Sequence, residues 1–108
     1  MSLFHEDLGI FLYTRPQKPR KKGKTMVIDL GWPLSYVKDA LRAYGDYLDI
    51  VKINDVHFTQ PAPLVKEKVS LYRSFGVECE LGGLIPELAI LQGKQREVVQ
   101  SFSVLSIY

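Results

Sequence analysis

A single cysteine, Cys79, stands in the 108 residues, so no internal disulfide framework can staple the fold. A reducing, cytoplasmic setting is therefore expected. No apolar run approaches the roughly 18–20 residues that span a bilayer, which excludes a transmembrane helix. The first ten residues carry His5, Glu6 and Asp7 and lack the charged-then-apolar pattern of a secretory signal. No Asn-Gly or Asp-Gly hairpin dipeptide occurs. What remains is a chain of at most one domain.

Its composition, 46% hydrophobic and 24% charged, is that of a globular protein and not of a disordered one. The net charge of +2 is unevenly placed. Residues 15–24 hold Arg15, Lys18, Arg20, Lys21, Lys22 and Lys24 and no acid, leaving eight basic against twelve acidic residues elsewhere. This run reads first as a solvated arm, second as an attractor of anions toward a binding mouth, third as a nucleic-acid contact. The acidic remainder and the lack of a binding motif or stacking platform argue against nucleic acid.

Residues 1–24 form the N-terminal arm, in which Leu8 to Tyr13 is apolar enough to pack and Pro16 and Pro19 interrupt regular structure. From residue 25 the pattern becomes periodic. A β-branched run at 25–30 predicts a buried strand. Pro33 suits a helix start, Leu34, Val37, Leu41 and Tyr44 follow at helical spacing, and Gly45 is placed to stop it. A second strand is predicted at 47–53. After a loop, Pro63 opens a helix with Val65, Val69, Tyr72 and Phe75 on one face, stopped by Gly76. A third strand at 77–81 precedes Gly82, Gly83 and a helical stretch from Pro86. Residues 103–108 prolong that helix or begin another strand.

The order β-α-β-α-β-α implies an α/β fold with parallel strands in the order 1-2-3 and right-handed crossovers. A closed eight-fold barrel needs at least about 200 residues. Residues 25–108 thus make a partial barrel of three or four strands, whose inner face and edges need cover. Val27 and Ile50 are expected to line an open apolar trough, and a homo-oligomer is the simplest way to hide it.

In parallel α/β folds ligands bind at the carboxyl ends of strands. Alternation along the second and third strands turns Lys52, Glu78 and Glu80 inward, away from the helices. On the first strand, the need for an apolar helix-facing side turns Asp29 inward as well. Asp29, Lys52 and Glu80 are then expected to share one cavity, where acids can hold Mg²⁺ and a lysine can meet a phosphate or a developing enolate. The competing reading is an ion pair that satisfies two buried groups. Glu87, in the first turn of the third helix, is either a dipole partner or a mouth ligand. Gly82 and Gly83 would let a backbone approach an anion. His57, in the loop after the second strand, reads as solvated or as a substrate contact. Cys79 reads as a small core residue.

Four segments together, KPRKKGKTMVIDLGWPL, YGDYLDIVKI, VKEKVSLYRSFGV and GGLIPELAILQGK, resemble the opening of phosphosulfolactate synthases over residues 18–94. The resemblance implies a (β/α)₈ barrel and a Mg²⁺-dependent lyase that adds sulfite to phosphoenolpyruvate, giving (2R)-phospho-3-sulfolactate, the start of coenzyme M synthesis in methanogens. It implies catalytic roles for Asp29, Lys52 and Glu87, substrate binding by Gly82, Gly83 and His57, and metal binding among Asp29, Glu80 and Glu87. Three departures stand out. Residues 53–60 contain no glycine where the family has an FGWGTS-like loop, Leu84, Ile85 and Pro86 replace Thr-Leu-Phe, and Glu80 replaces an apolar residue or proline. These departures favour, as the alternative, a non-catalytic relative acting through protein interaction.

Overall fold

The computed structural model describes residues 8–9 and 15–104, with side chains described as far as Ser101. Strands β1 (Met26–Asp29), β2 (Ile50–Ile53) and β3 (Glu78–Leu81) form one parallel sheet in sequential order. Helix α1 (Leu34–Tyr44) connects β1 to β2, α2 (Ala62–Ser74) connects β2 to β3, and α3 (Leu84–Leu91) and α4 (Gln95–Val104) follow. The molecule is an α/β protein, an incomplete wall of a TIM-barrel-type fold.

The strands are shorter than their apolar runs. Residues 45–47 tighten into a 3₁₀ turn before β2, and a second 3₁₀ turn, Asp55–Thr59, fills the loop after it. Of the glycine stops, Gly76 has the left-handed φ of +72°, but Gly45 stays right-handed at φ −55°. Its constraint is close approach: a Cβ there would lie 2.8 Å from the Phe75 ring. Tyr44, expected on the core face, is exposed, because Phe75 packs at that end instead. The third helical stretch starts at Leu84, so Pro86 falls in the first turn, where its missing N–H costs no hydrogen bond. Gly93, at φ +67°, then separates α3 from α4. Helix α4 carries the chain through Val104, while residues 105–108 and most of the 8–13 segment lie outside the described residues.

Among the described residues the core lies on one side of the sheet. Val37 and Leu41 of α1 and Val65, Val69 and Tyr72 of α2 pack on Val51, Ile53, Val77 and Cys79. Each such side chain contributes about 1.5–3 kcal/mol when fully buried. The opposite face carries Met26 and Ile28, 49% and 48% exposed, beside Ile50, Lys52, Glu78 and Glu80. The expected open trough therefore exists, but Met26 and Ile28 line it and Val27 does not: Val27 packs against the helix-side core.

The basic run is not a solvated arm throughout. Arg20 is buried, with its guanidinium on Asp49 Oδ1 at 2.6 Å and its Nε donating to the Pro16 carbonyl at 2.8 Å. Arg15 donates to the carbonyls of Gly23 and Tyr47, and Lys18 to that of Phe75. Asp49 also accepts from the Thr25 N–H at 2.7 Å. These partners flank the amino ends of the strands, where helix C-termini leave carbonyls unpaired, so the segment clamps the end opposite any mouth. Lys21, Lys22 and Lys24 of the same run stay exposed.

Replacing Asp49 leaves the Arg20 guanidinium buried without its counter-charge. Asp49→Ala is expected to lower unfolding free energy by about 3–5 kcal/mol, whereas the exposed Lys22→Ala stays within about 0.5 kcal/mol. Urea unfolding followed by circular dichroism measures both, and equal small losses would show that the clamp carries no stability.

Candidate active site

Strand register decides which side chains meet at the carboxyl ends. Ile28, Lys52 and Glu80 are neighbours in one row, and Asp29, Ile53 and Leu81 in the next. Adjacent rows face opposite sides of a sheet. Lys52 and Glu80 accordingly stand on the open face, as their alternation implied. Asp29 does not join them: it is 0% exposed on the helix-packed side. The expectation of one cavity shared by Asp29, Lys52 and Glu80 is corrected by this geometry.

The assumption that failed was that a helix-facing strand position must be apolar. Asp29 is fully compensated there. Its Oδ1 accepts the N–H groups of Gly31 at 2.8 Å and Trp32 at 2.9 Å and lies 3.3 Å from Lys68 Nζ. Its Oδ2 accepts from the Tyr72 hydroxyl at 2.7 Å. Lys68 and Tyr72 are four residues apart on α2 and so share the face that meets β1. Lys68 is itself 0% exposed. A signal for it was present: Val65, Lys68, Val69 and Tyr72 fall at i, i+3, i+4 and i+7, so a lysine sits inside an apolar stripe and needs an anionic partner.

His57 is buried, not solvated. Its Nδ1 donates to the Asn54 carbonyl at 2.8 Å, which leaves the Nε2 lone pair to accept from Lys68 Nζ at 3.1 Å. Nε2 also lies 3.5 Å from Asp29 Oδ1. With Ile53, Phe58, Val65, Ile85 and Val98, His57 lines a cavity of about 400 Å³. Ile53 and Val65 belong to the helix side, so this cavity and the Lys52 face are separate places. The loop histidine was legible as a residue near the mouth; its inward turn was not.

Burial alone would raise the Asp29 pKa. The Tyr72 hydroxyl and the Trp32 and Gly31 amides, all donating to it, oppose burial, and the carboxyl is held below the usual carboxylate range. Burial first, and the Asp29 carboxylate second, push the Tyr72 phenol upward, keeping it a donor. Burial pushes the Cys79 thiol up to about 12, which makes it a core residue and no nucleophile.

The remaining candidates lie near the mouth without converging. The Lys52 side chain has no hydrogen-bond or ion-pair partner among the described residues. Gly82 is buried, its N–H donating to the Ile53 carbonyl at 3.0 Å, and a Cβ there would meet Asp55 Oδ1 and the Ile53 carbonyl at 3.4 Å. Gly83 has open space around it and accepts the Glu87 N–H. Glu87 is exposed in the first turn of α3. Among the described residues no three acids, histidines or thiols come together as a metal site. With every Asp29 acceptor engaged on the far side of the sheet, these residues do not by themselves fit Mg²⁺.

Residues 13–107 match the model of (2R)-phospho-3-sulfolactate synthase (ComA). The chain belongs to this family. Phosphosulfolactate synthase of Methanothermobacter thermautotrophicus is 42% identical over 89 residues, covering 80% of this chain and 34% of the relative. The enzyme of that name from Methanocaldococcus jannaschii is 36% identical over 75 residues, covering 68% and 30%. That from Bacillus subtilis is 33% identical over 91 residues, covering 84% and 36%. The chain thus spans about a third of the length of these curated relatives. No helix among its described residues is long and apolar enough to cross a membrane.

Because the folded Asp29 carboxyl titrates below its unfolded value of about 3.9, it binds protons less readily than the unfolded chain. Its contribution is present above about pH 4 and is lost as pH falls through the lower folded value. Asp29→Asn, which strands Lys68, is expected to cost about 3–5 kcal/mol at pH 7 and to flatten the acid limb of the stability profile. An unchanged acid limb in chemical denaturation between pH 2 and 7 would refute the assignment.

Proposed function

We propose that this chain supplies part of the mouth of a phosphosulfolactate synthase-type lyase, in which sulfite adds to phosphoenolpyruvate. The observation that carries the reading is Lys52: a lysine whose side chain has no partner among the described residues, on the open face at the carboxyl end of the central strand, in a chain of this family. In that addition the sulfite sulfur lone pair forms a bond to the methylene carbon of phosphoenolpyruvate. The double-bond electrons move toward the carboxylate, and the adjacent carbon gains a proton; nothing leaves. Both reactants are anions, so an ammonium at the mouth lowers their repulsion and stabilises the charge that builds on the carboxylate. Lys52 is suited to that role, and Gly83 to close backbone approach by an anionic group. Glu87 stands at the rim and is available for proton transfer. No step is assigned to Mg²⁺, whose involvement the family resemblance suggests and whose donors the described residues do not assemble.

A second reading, a relative that acts through protein contact, is favoured by one observation. Residues 53–60, free of glycine, contain the 3₁₀ turn Asp55–Thr59, which Asn54 caps with its carbonyl and side chain engaged internally. Such a loop presents fewer free N–H groups to a phosphate or sulfonate. The 108-residue chain is therefore expected to make phosphosulfolactate from phosphoenolpyruvate and sulfite slowly or not at all. Turnover near a typical ~10 per second, abolished by Lys52→Ala, would instead establish full catalysis by this chain. Binding of phosphoenolpyruvate weakened about tenfold by Lys52→Ala would support the lysine's role at the 1.4 kcal/mol scale of one charge-assisted contact.

The uncovered face supports a proposal of self-association. Met26 and Ile28 remain half exposed there, and covering apolar surface is worth roughly 25 cal/mol per Å². Sedimentation at micromolar concentration is expected to show a dimer, shifted toward monomer by Ile28→Lys. A cooperative monomer of the unsubstituted chain would rule the dimer out.

A further inference from the structure

Four buried groups have no part in the chemistry just described: Asp29, His57, Lys68 and Tyr72. We infer that they form a positioning device that couples the loop after β1 to the loop after β2, so that the first two loops of the mouth move as one. The inference rests on reading the carboxyl ends of the strands as the mouth.

Both loops are tied to the same cluster. On one side Asp29 Oδ1 takes the N–H groups of Gly31 and Trp32, fixing the chain as it leaves β1. On the other, the His57 Nδ1–H holds the Asn54 carbonyl, and Asn54 Oδ1 accepts the Val56 N–H at 2.7 Å, fixing the chain as it leaves β2. Lys68 Nζ bridges the halves, 3.3 Å from Asp29 Oδ1 and 3.1 Å from His57 Nε2. Direct contacts join the same loops: Gln60 Nε2 donates to the Gly31 carbonyl at 3.2 Å, and a Cβ at Gly31 would lie 2.9 Å from Val56 Cγ1. Gly31, at φ +99°, is thus required both by its backbone and by the neighbouring loop.

Stability alone does not explain such a cluster. A buried ion pair is often no more stabilising than apolar residues of the same volume, and its directional bonds are what apolar packing cannot reproduce. Here the bonds end on loop backbone. His57, Lys68 and Tyr72 are positioning residues on this account, and they touch no substrate.

Native-state hydrogen exchange on the full chain tests the coupling without depending on turnover. His57→Leu alters the loop after β2 and touches neither Gly31 nor Trp32. Exchange at the Gly31 and Trp32 amides is nevertheless expected to accelerate by about 2–30-fold, the range of measured coupling between linked sites, while amides within α2 keep their rates. The conservative His57→Gln should restore most of the protection. Tyr72→Phe, which removes one hydroxyl and spares the fold, should accelerate the same two amides. Unchanged exchange at Gly31 and Trp32 in His57→Leu, or acceleration that is uniform across the sheet, would overturn the inference. Either result leaves the Lys52 reading intact, and a failed Lys52 experiment leaves this one intact.

Discussion

A carboxylate buried against a helix governs this structure. Desolvating Asp29 is unfavourable by several kcal/mol unless its charge is met, and the chain meets it with two backbone amides, a phenol and an ammonium. That requirement fixes the side of the sheet on which α2 presents Lys68 and Tyr72. It also sets the direction in which the chain leaves β1, since Gly31 and Trp32 must turn their N–H groups back toward the strand end. Lys68, once buried, needs a second acceptor, and His57 is drawn inward to provide it. The conformation of the loop after β2 follows from a charge on β1.

The two ends of the sheet are held by related means and serve different purposes. At the amino ends Arg20 and Asp49 form a short, buried ion pair within a clamp of arginine and lysine side chains on backbone carbonyls. At the carboxyl ends the charge network is turned into the helix layer, leaving Lys52 on the other face without a partner among the described residues. The Arg20 charge is thus neutralised at the amino ends, while Lys52 stands at the carboxyl ends with no counter-charge among the described residues. The chain belongs to the phosphosulfolactate synthase family and spans about a third of the length of the relatives it matches.

The element order was legible because it rests on strong local signals: apolar runs, proline at helix starts and glycine between units. The inward direction of Lys52 and Glu80 was legible too, since Val51, Ile53, Cys79 and Leu81 define an unambiguous apolar side. Strand β1 offered no such contrast. Met26, Val27 and Ile28 are apolar on both sides, so its parity turned on Asp29 alone, and the assignment went to the wrong face. The information that resolves it lies 39 residues away in Lys68, a residue whose meaning depends on a tertiary contact. The basic run failed in the same way: its charges read as solvent-facing until Asp49 and the carbonyls at helix ends supply partners.

The most direct test of this account is a carbon-detected NMR titration of the Asp29 carboxyl in the folded chain. A carboxylate saturated by Gly31, Trp32, Lys68 and Tyr72 stays ionised well below the ordinary value of about 3.9, with its chemical shift flat until the protein unfolds in acid. A carboxyl that titrates at or above that value in the native state would show a group that is either accessible to water or buried without its donors, and the structure's central charge network would have to be abandoned.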